Sequence, residues 1–291
     1  VYGSFAGFLV IIAVALQPAQ PHAQAAEPPQ LKIGLPENMF SGLPKIIVQR
    51  ASQPFQEMFE KESGLKGEIV VSRNYAEIAD QLRTGKLDVA VFHGFEYAWV
   101  KQHPELVPLV VTVPKTPIQA CLVVNCNSKA NGLRELKGEC IAVPAGTKAH
   151  CHVYYERLKE TLPADVCLLV KGNNRSIEDV LDAVSDGKCE AALVDGQALA
   201  TYQKLKPGAG EQLKILAESQ SFPSAIVVYR KDSLNADTAK KVTDGLIKCV
   251  NTPQGQVLTD MWKLKGFSQK TAQYDKDLEI CLKAYPAPKN K

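Results

Sequence analysis

Two hydrophobic rhythms take turns along the chain. Short Val/Ile/Leu-rich runs, at 67–72, 87–92, 139–143, 166–170 and 190–194, have the length and composition of β-strands. Between them lie helical patterns. Asn74 and Glu77 form a capping signal ahead of Ile78, Ala79 and Leu82. Ser176 precedes Ile177, Val180, Leu181 and Val184, which fall on one helical face. Gly85 and Gly187 stand where a helix ends in a residue tolerant of positive φ. Strands alternating with helices predict an α/β protein, with parallel sheets covered by helices on both faces.

The same plan occurs twice. LKIGLPEN (31–38) resembles ECIAVPAG (139–146), and EIADQLRTGKLDVAVFHG (77–94) matches DVLDAVSDGKCEAALVDG (179–196) in layout. Each unit has an amphipathic helix, a Gly-Lys stop, an acidic or Cys-Glu step, an apolar strand, and a polar residue before Gly. Two lobes of one architecture are expected. Apolar passages at 106–113 and 119–125 separate the units, and others follow at 213–219 and 224–229. They read as two crossings between lobes, hence a hinge. Residues from Asn235 onward read as helices that pack back on the first lobe. The expected division is lobe 1 from 26–120 with 226–291, and lobe 2 from 121–225.

The 291 residues are 45% hydrophobic and 22% charged, with 34 Lys+Arg against 31 Asp+Glu, a net charge of +3. That is the profile of a globular protein without the concentrated basic face of a nucleic-acid binder. A twelve-residue apolar run at 5–16, followed by Ala23-Gln24-Ala25, reads as a secretory signal peptide cleaved after Ala25. It is too short for a comfortable membrane span, and no Lys or Arg precedes it. An uncleaved anchor helix is the alternative. Export to an oxidising compartment makes some disulfide bonding among the eight Cys expected, with 105 pairings open.

In open α/β sheets ligands bind at the carboxyl ends of strands. Those ends place Glu37, Asn38, Tyr75, His93, Tyr97, Gly146, Thr147, Lys148, His150, Asn174, Ser176 and Asp195 as candidate ligand-binding residues. The segment PAGTKAHCHVYYERL (144–158) is the most informative. A strand ends, Gly146 opens the backbone, and a helix starting at Thr147 would aim its unpaired amides and dipole at an anion, with Lys148 adding charge. An ordinary capped helix fits that segment equally well. The Walker spacing is absent, so nucleotide hydrolysis is not implied. Tyr75 and Tyr97 could bond a ligand oxygen or lie in the core, and Asp195 and Glu37 could meet a ligand ammonium or a neighbouring Lys. His150, Cys151 and His152 point about 100° apart on a helix and cannot all chelate one ion, although one or two beside His93 could. No catalytic constellation stands out; no residue is assigned a catalytic role, and no metal or cofactor is expected.

In order, LKIGLPEN, VVSRNYAEIADQLRTGKLDVAVFHGFEYAWV, GLRELKGECIAVPAGT, SIEDVLDAVSDGKCEAALVD and LKILAESQSFPSAIVVYRKD resemble the PhnD-like periplasmic phosphate/phosphite/phosphonate-binding proteins of ABC transporters. The likeness runs over most of 31–232. Here the turn after the third strand is His93-Gly94 where the family often has Gly-Pro, and only Thr147 remains of several hydroxyl residues at the helix start. The resemblance implies a type II periplasmic-binding-protein fold, with two doubly wound α/β lobes joined by a two-strand hinge. It implies an oxyanion held at Gly146-Thr147-Lys148, aromatic partners at Tyr75 and Tyr97, and Asp195 recognising the rest of the ligand. The expected protein is a periplasmic, monomeric, non-enzymatic receptor. It would bind a small oxyanion such as phosphonate, phosphite or phosphate between the lobes, present it to a membrane permease, and have no nucleic-acid partner. An enzyme, a metal-binding protein or a sensor on the same scaffold are the alternatives.

Overall fold

The computed structural model describes residues 30–40, 50, 53–57, 60–61, 64–169 and 176–288. The segment 1–25, expected to be a signal peptide, and residues Asn173, Asn174 and Arg175 lie outside the described residues. Among the described residues no helix is long and apolar enough to cross a membrane.

The first sheet holds β1 (Gln30–Pro36), β2 (Lys66–Ser72), β3 (Val89–Phe92), β4 (Leu106–Pro114), β10 (Ile226–Arg230) and β11 (Leu264–Ser268), in the order β11-β4-β10-β3-β1-β2. The second holds β5 (Ala120–Asn125), β6 (Cys140–Ala142), β7 (Cys167–Leu169), β8 (Ala191–Asp195) and β9 (Leu213–Glu218), in the order β7-β6-β8-β5-β9. The series β2-β1-β3-β10-β4 has its counterpart in β7-β6-β8-β5-β9, so the repeat in the sequence is a repeat in the fold.

The sheets are mixed, which corrects the expectation of parallel ones. β1 pairs in parallel with β2 and β3, and β6 with β7 and β8. By contrast β10 is antiparallel to β3 and β4, and β5 to β8 and β9. The reason lies in the crossings. β4 leaves the first sheet where β10 returns to it, and β5 enters the second where β9 departs, so each exchanged strand runs against its neighbours. β11 went unforeseen because Leu264–Ser268 is short and lies between helical patterns.

Beyond the helical residues 53–57, the helices are α1 (Tyr75–Arg83), α2 (Gly94–Val100), α3 (Ala149–Leu158), α4 (Ile177–Ser185), α5 (Gly196–Leu205), α6 (Pro207–Gly210), α7 (Ala236–Lys248), α8 (Pro253–Met261) and α9 (Ala272–Ala284). Local chemistry sets their ends. Asn74 Oδ1 accepts from Glu77 N at 3.0 Å, while the Glu77 carboxylate accepts from Arg73 N. Ser176 and Asp179 cap each other reciprocally at the start of α4. Gly85 and Gly187 close α1 and α4 at φ 74° and 71°.

Period-two alternation sends side chains to opposite faces of each sheet. Leu31, Ile33 and Leu35 of β1 pack under α7 and α8 with Val242, Leu246 and Leu258, while Ala90 and Phe92 of β3 face Ile78, Leu82 and Leu278. In the second sheet Ala120, Leu122 and Val124 meet Tyr154 and Tyr155, while Cys121 and Val123 meet Val180, Leu181 and Tyr202.

Phe95, Trp99, Phe222 and Tyr285 belong to the same core cluster as the second sheet, so the end of the chain is tied into the hinge. Trp99 Nε1 donates to Tyr285 O at 2.8 Å, and the Phe222 and Tyr285 rings stack at 4.6 Å. α9 thus packs on the first lobe through α2 and also reaches the second. Cys140 and Cys167, paired across β6 and β7, form one disulfide. Cys121, Cys151, Cys249 and Cys281 are buried thiols.

Candidate functional site

Two equivalent strand-to-helix turns face each other across the hinge. β3 ends at Phe92 and His93 is the N-cap of α2; β8 ends at Asp195, which is the N-cap of α5. Gly follows each cap. Gly94 is pressed against the second crossing: a Cβ there would lie 2.2 Å from Pro223 O and 2.6 Å from Ser224 O. Gly196 lies beside the first crossing and donates its N–H to Gln119 O at 2.8 Å. A third turn brings in α3. Its N-cap is Lys148, with no side-chain capping bond, so the first-turn amides from Ala149 onward precede the helical ladder.

These turns have opposite electrostatics. Asp195 is 4% exposed. Its carboxylate lies 2.9 Å from Lys148 Nζ and 3.2 Å from His150 Nε2, and it accepts from Ala198 N at 3.3 Å. Burial alone would raise its pKa, but the His150 hydrogen bond and the Lys148 charge outweigh burial and hold it below the usual value. Glu96, 2% exposed in the first turn of α2, has neutral partners. It accepts from Asn38 Nδ2 at 2.8 Å and from His93 N at 3.3 Å. Burial pushes it up to about 7 in spite of those bonds. His93 is driven down to about 3 by burial, reinforced by the nearby His150 and Lys148 charges. It is therefore a neutral imidazole at pH 7, and its Nε2 is buried with no hydrogen-bond partner among the described residues.

A cavity of about 230 Å³ opens between the sheets, with lining from both lobes and both crossings. Its polar lining has Asn38, His93, Lys148, His150, Asp195 and Gln197, together with Thr112, Thr116 and Lys263. Phe222, on the second crossing, lines it as well, 5.5 Å from the His150 ring and 5.8 Å from that of Phe95. Fixed donors and a cation beside unspent backbone amides can hold an anion by charge-assisted hydrogen bonds. Among the described residues no group of three or more His, Cys, Asp or Glu could hold a metal ion.

Comparison with known proteins decides the family. The profile described as "ABC transporter, phosphonate, periplasmic substrate-binding protein" matches residues 43–274. The chain belongs to this family. Solved structures agree on the fold, a type II periplasmic binding protein. XAC2383 from Xanthomonas citri, solved with chloride, superposes with a TM-score of 0.66 at 16% identity, covering 88% of this chain and 97% of that one. PhnD1 from Prochlorococcus marinus, in complex with methylphosphonate, gives 0.60 at 17% identity over 87% and 97%. A binding-protein component of an ABC phosphonate transporter from Pseudomonas aeruginosa gives 0.59 at 15% identity over 89% and 88%.

In this phosphonate-transporter binding protein the residues singled out from the sequence divide sharply. Asn38, His93, Lys148, His150 and Asp195 line the cavity. Glu37 is exposed on a short 3-10 turn, off the lining. Tyr75 packs on Trp99 with ring centroids 4.9 Å apart, and Tyr97 is buried against Phe92, so both rings serve the core rather than the cavity wall. Gly146 takes φ 75° in an exposed turn. Thr147 is buried, and its hydroxyl donates to Pro144 O at 2.7 Å. The helix begins two residues later than expected, because the 144–147 turn closes first. Ser176 spends its hydroxyl on Asp179. Asn174 lies outside the described residues.

Reading by strand ends gave a role neither to Gln197, which lines the cavity, nor to Glu96, which does not line it but is bonded to Asn38 and His93 at its edge. The signal for Glu96 was there: one carboxylate inside GFEYAWV, a helix whose seven residues are all buried. Phe222 gave no comparable signal, because its role comes from the crossing of distant segments.

Proposed function

We propose that the protein is the extracytoplasmic receptor of an ABC importer and closes its two lobes on a small phosphorus oxyanion such as phosphonate, phosphite or phosphate. Membership of the family supports the class, and the cavity's polar wall supports the ligand. The observation that carries the reading is the meeting, on one cavity wall at the open start of α3, of Lys148, His150 and the buried Nε2 of His93, which has no hydrogen-bond partner among the described residues. The bound oxyanion takes hydrogen bonds from the Ala149 and His150 amides, from Lys148 and from neutral His93. Asp195 positions Lys148 and His150. Asn38, on the cavity wall, holds Glu96 behind it, and Gln197 borders the site. Ligand contacts with both lobes supply the free energy of closure.

The lobes are 26–120 with 226–291, and 121–225. The chain is exported by a signal peptide cleaved after Ala25, works as a monomer, hands its ligand to a membrane permease, and performs no bond chemistry. Calorimetric titration with phosphate, phosphite, methylphosphonate and sulfate tests the reading. At least one phosphorus oxyanion should bind, and Lys148→Gln should weaken that binding at least tenfold. No heat with any of them, or unchanged affinity in the variant, would refute it.

A further inference from the structure

The cavity is larger and greasier than an oxyanion needs. Its titratable side chains are His93, Lys148, His150 and Asp195, at the turns ending β3 and β8 and at the start of α3, with Lys263 just before β11. The rest runs into the face of the first sheet that α7 and α8 cover. There Phe55, Leu258, Trp262, Leu264 and Phe267 line it, all part of or packed against one core cluster with Val91 and Val227. These five apolar residues come from the first lobe, as does Lys263, whereas Lys148, beside the amides at the start of α3, comes from the second.

A cavity of about 150 Å³ lined by apolar side chains stays dry and takes up benzene. This one, at about 230 Å³, has room for a ring-sized group beside a charged head. A bare oxyanion would leave the apolar wall facing water, and burying that wall against hydrocarbon is the favourable alternative.

We infer that the preferred ligand is an oxyanion bearing a bulky apolar group, an aryl or a six-carbon alkyl phosphonate, with its head on the α3 start and its hydrocarbon against the α8–β11 wall. This rests on the oxyanion reading above and refines it. Specificity then lies in Leu258, Trp262 and Phe267, which touch only the hydrocarbon, while the head contacts give the shared affinity for all phosphonates.

Calorimetric titration of the whole mature protein with phenylphosphonate, hexylphosphonate, methylphosphonate and phosphate tests it. Phenylphosphonate or hexylphosphonate should bind at least tenfold more tightly than methylphosphonate, with a more negative heat-capacity change. Ala225→Leu, which adds bulk at the cavity lining, should erase that advantage while leaving methylphosphonate affinity within about twofold. The wild-type ratio stands by itself if the variant folds poorly. Methylphosphonate or phosphate binding as tightly as the two larger ligands would overturn this inference and leave the oxyanion reading intact. Binding of none of the four would overturn both.

Discussion

The turns at 93–96 and 195–198 share one backbone plan and hold their carboxyl groups in opposite states. Both follow a buried strand, both place a polar N-cap, and both put Gly next against a crossing segment. Yet Asp195 is kept ionised and Glu96 is pushed toward protonation. Burial is nearly the same; the partners differ. Asp195 has an ammonium and an imidazole within 3.2 Å, whereas Glu96 has, among the described residues, an amide side chain and a backbone N–H. A fold can thus repeat its geometry and still choose the charge of each half through which side chains it brings alongside.

The lobes also differ at their outer edges, and there the largest effect is expected. β1 and β2 pair over seven residues, β6 and β7 over three with the Cys140–Cys167 bond added. Closing that 27-residue separation constrains the unfolded chain, so Cys140→Ser with Cys167→Ser should lower stability by about 3–4 kcal/mol in urea denaturation. An unchanged midpoint would show that the short ladder holds without it.

Next come the glycines. Gly94→Ala drives a Cβ into the Pro223 carbonyl and should cost about 3 kcal/mol or more, whereas Gly196→Ala meets Cys121 Sγ and Gln119 O at an ordinary 3.4 Å and should cost less than about 1 kcal/mol. Equal costs would deny that the two crossings press unequally on their turns.

The carboxyls give slopes of opposite sign with pH. Glu96 has a folded-state pKa raised from 4.5 to about 7. Its contribution is fully present below about pH 4.5 and is lost as pH rises through about 7. Glu96→Gln should remove that decline, worth about 3 kcal/mol between pH 4.5 and 8 by thermal or chemical unfolding. Asp195 has a depressed pKa, so its contribution is present above 3.8 and is lost as pH falls through the folded value. Asp195→Asn keeps a capping oxygen but loses the charge facing Lys148 and His150. It should cost about 2 kcal/mol at pH 7, less toward low pH. Parallel pH profiles for the two variants would break the contrast.

The smallest effect separates structure from ligand. Thr147→Val removes a bond to Pro144 O and should cost about 1 kcal/mol of stability, with ligand affinity unchanged. A selective loss of affinity would return that hydroxyl to the site.

Much of this molecule was legible in its residues because the signals are local. Strand and helix periods, the caps at Asn74 and Ser176, the stops at Gly85 and Gly187, and the doubled plan all depend on neighbours a few positions apart. They determined the fold class and the strand ends where a ligand would sit.

Tertiary structure alone decided what those ends do. Lys148 meets Asp195 across 47 positions of chain and Asn38 meets Glu96 across 58, and the spacing within either segment encodes neither pairing. The same holds for the antiparallel returns of β5 and β10, for Phe222 at the crossing, and for Tyr75 and Tyr97 turned into the core. A side chain's charge and availability depend on what burial strips away and which partner replaces it, and packing brings that partner in from elsewhere in the chain.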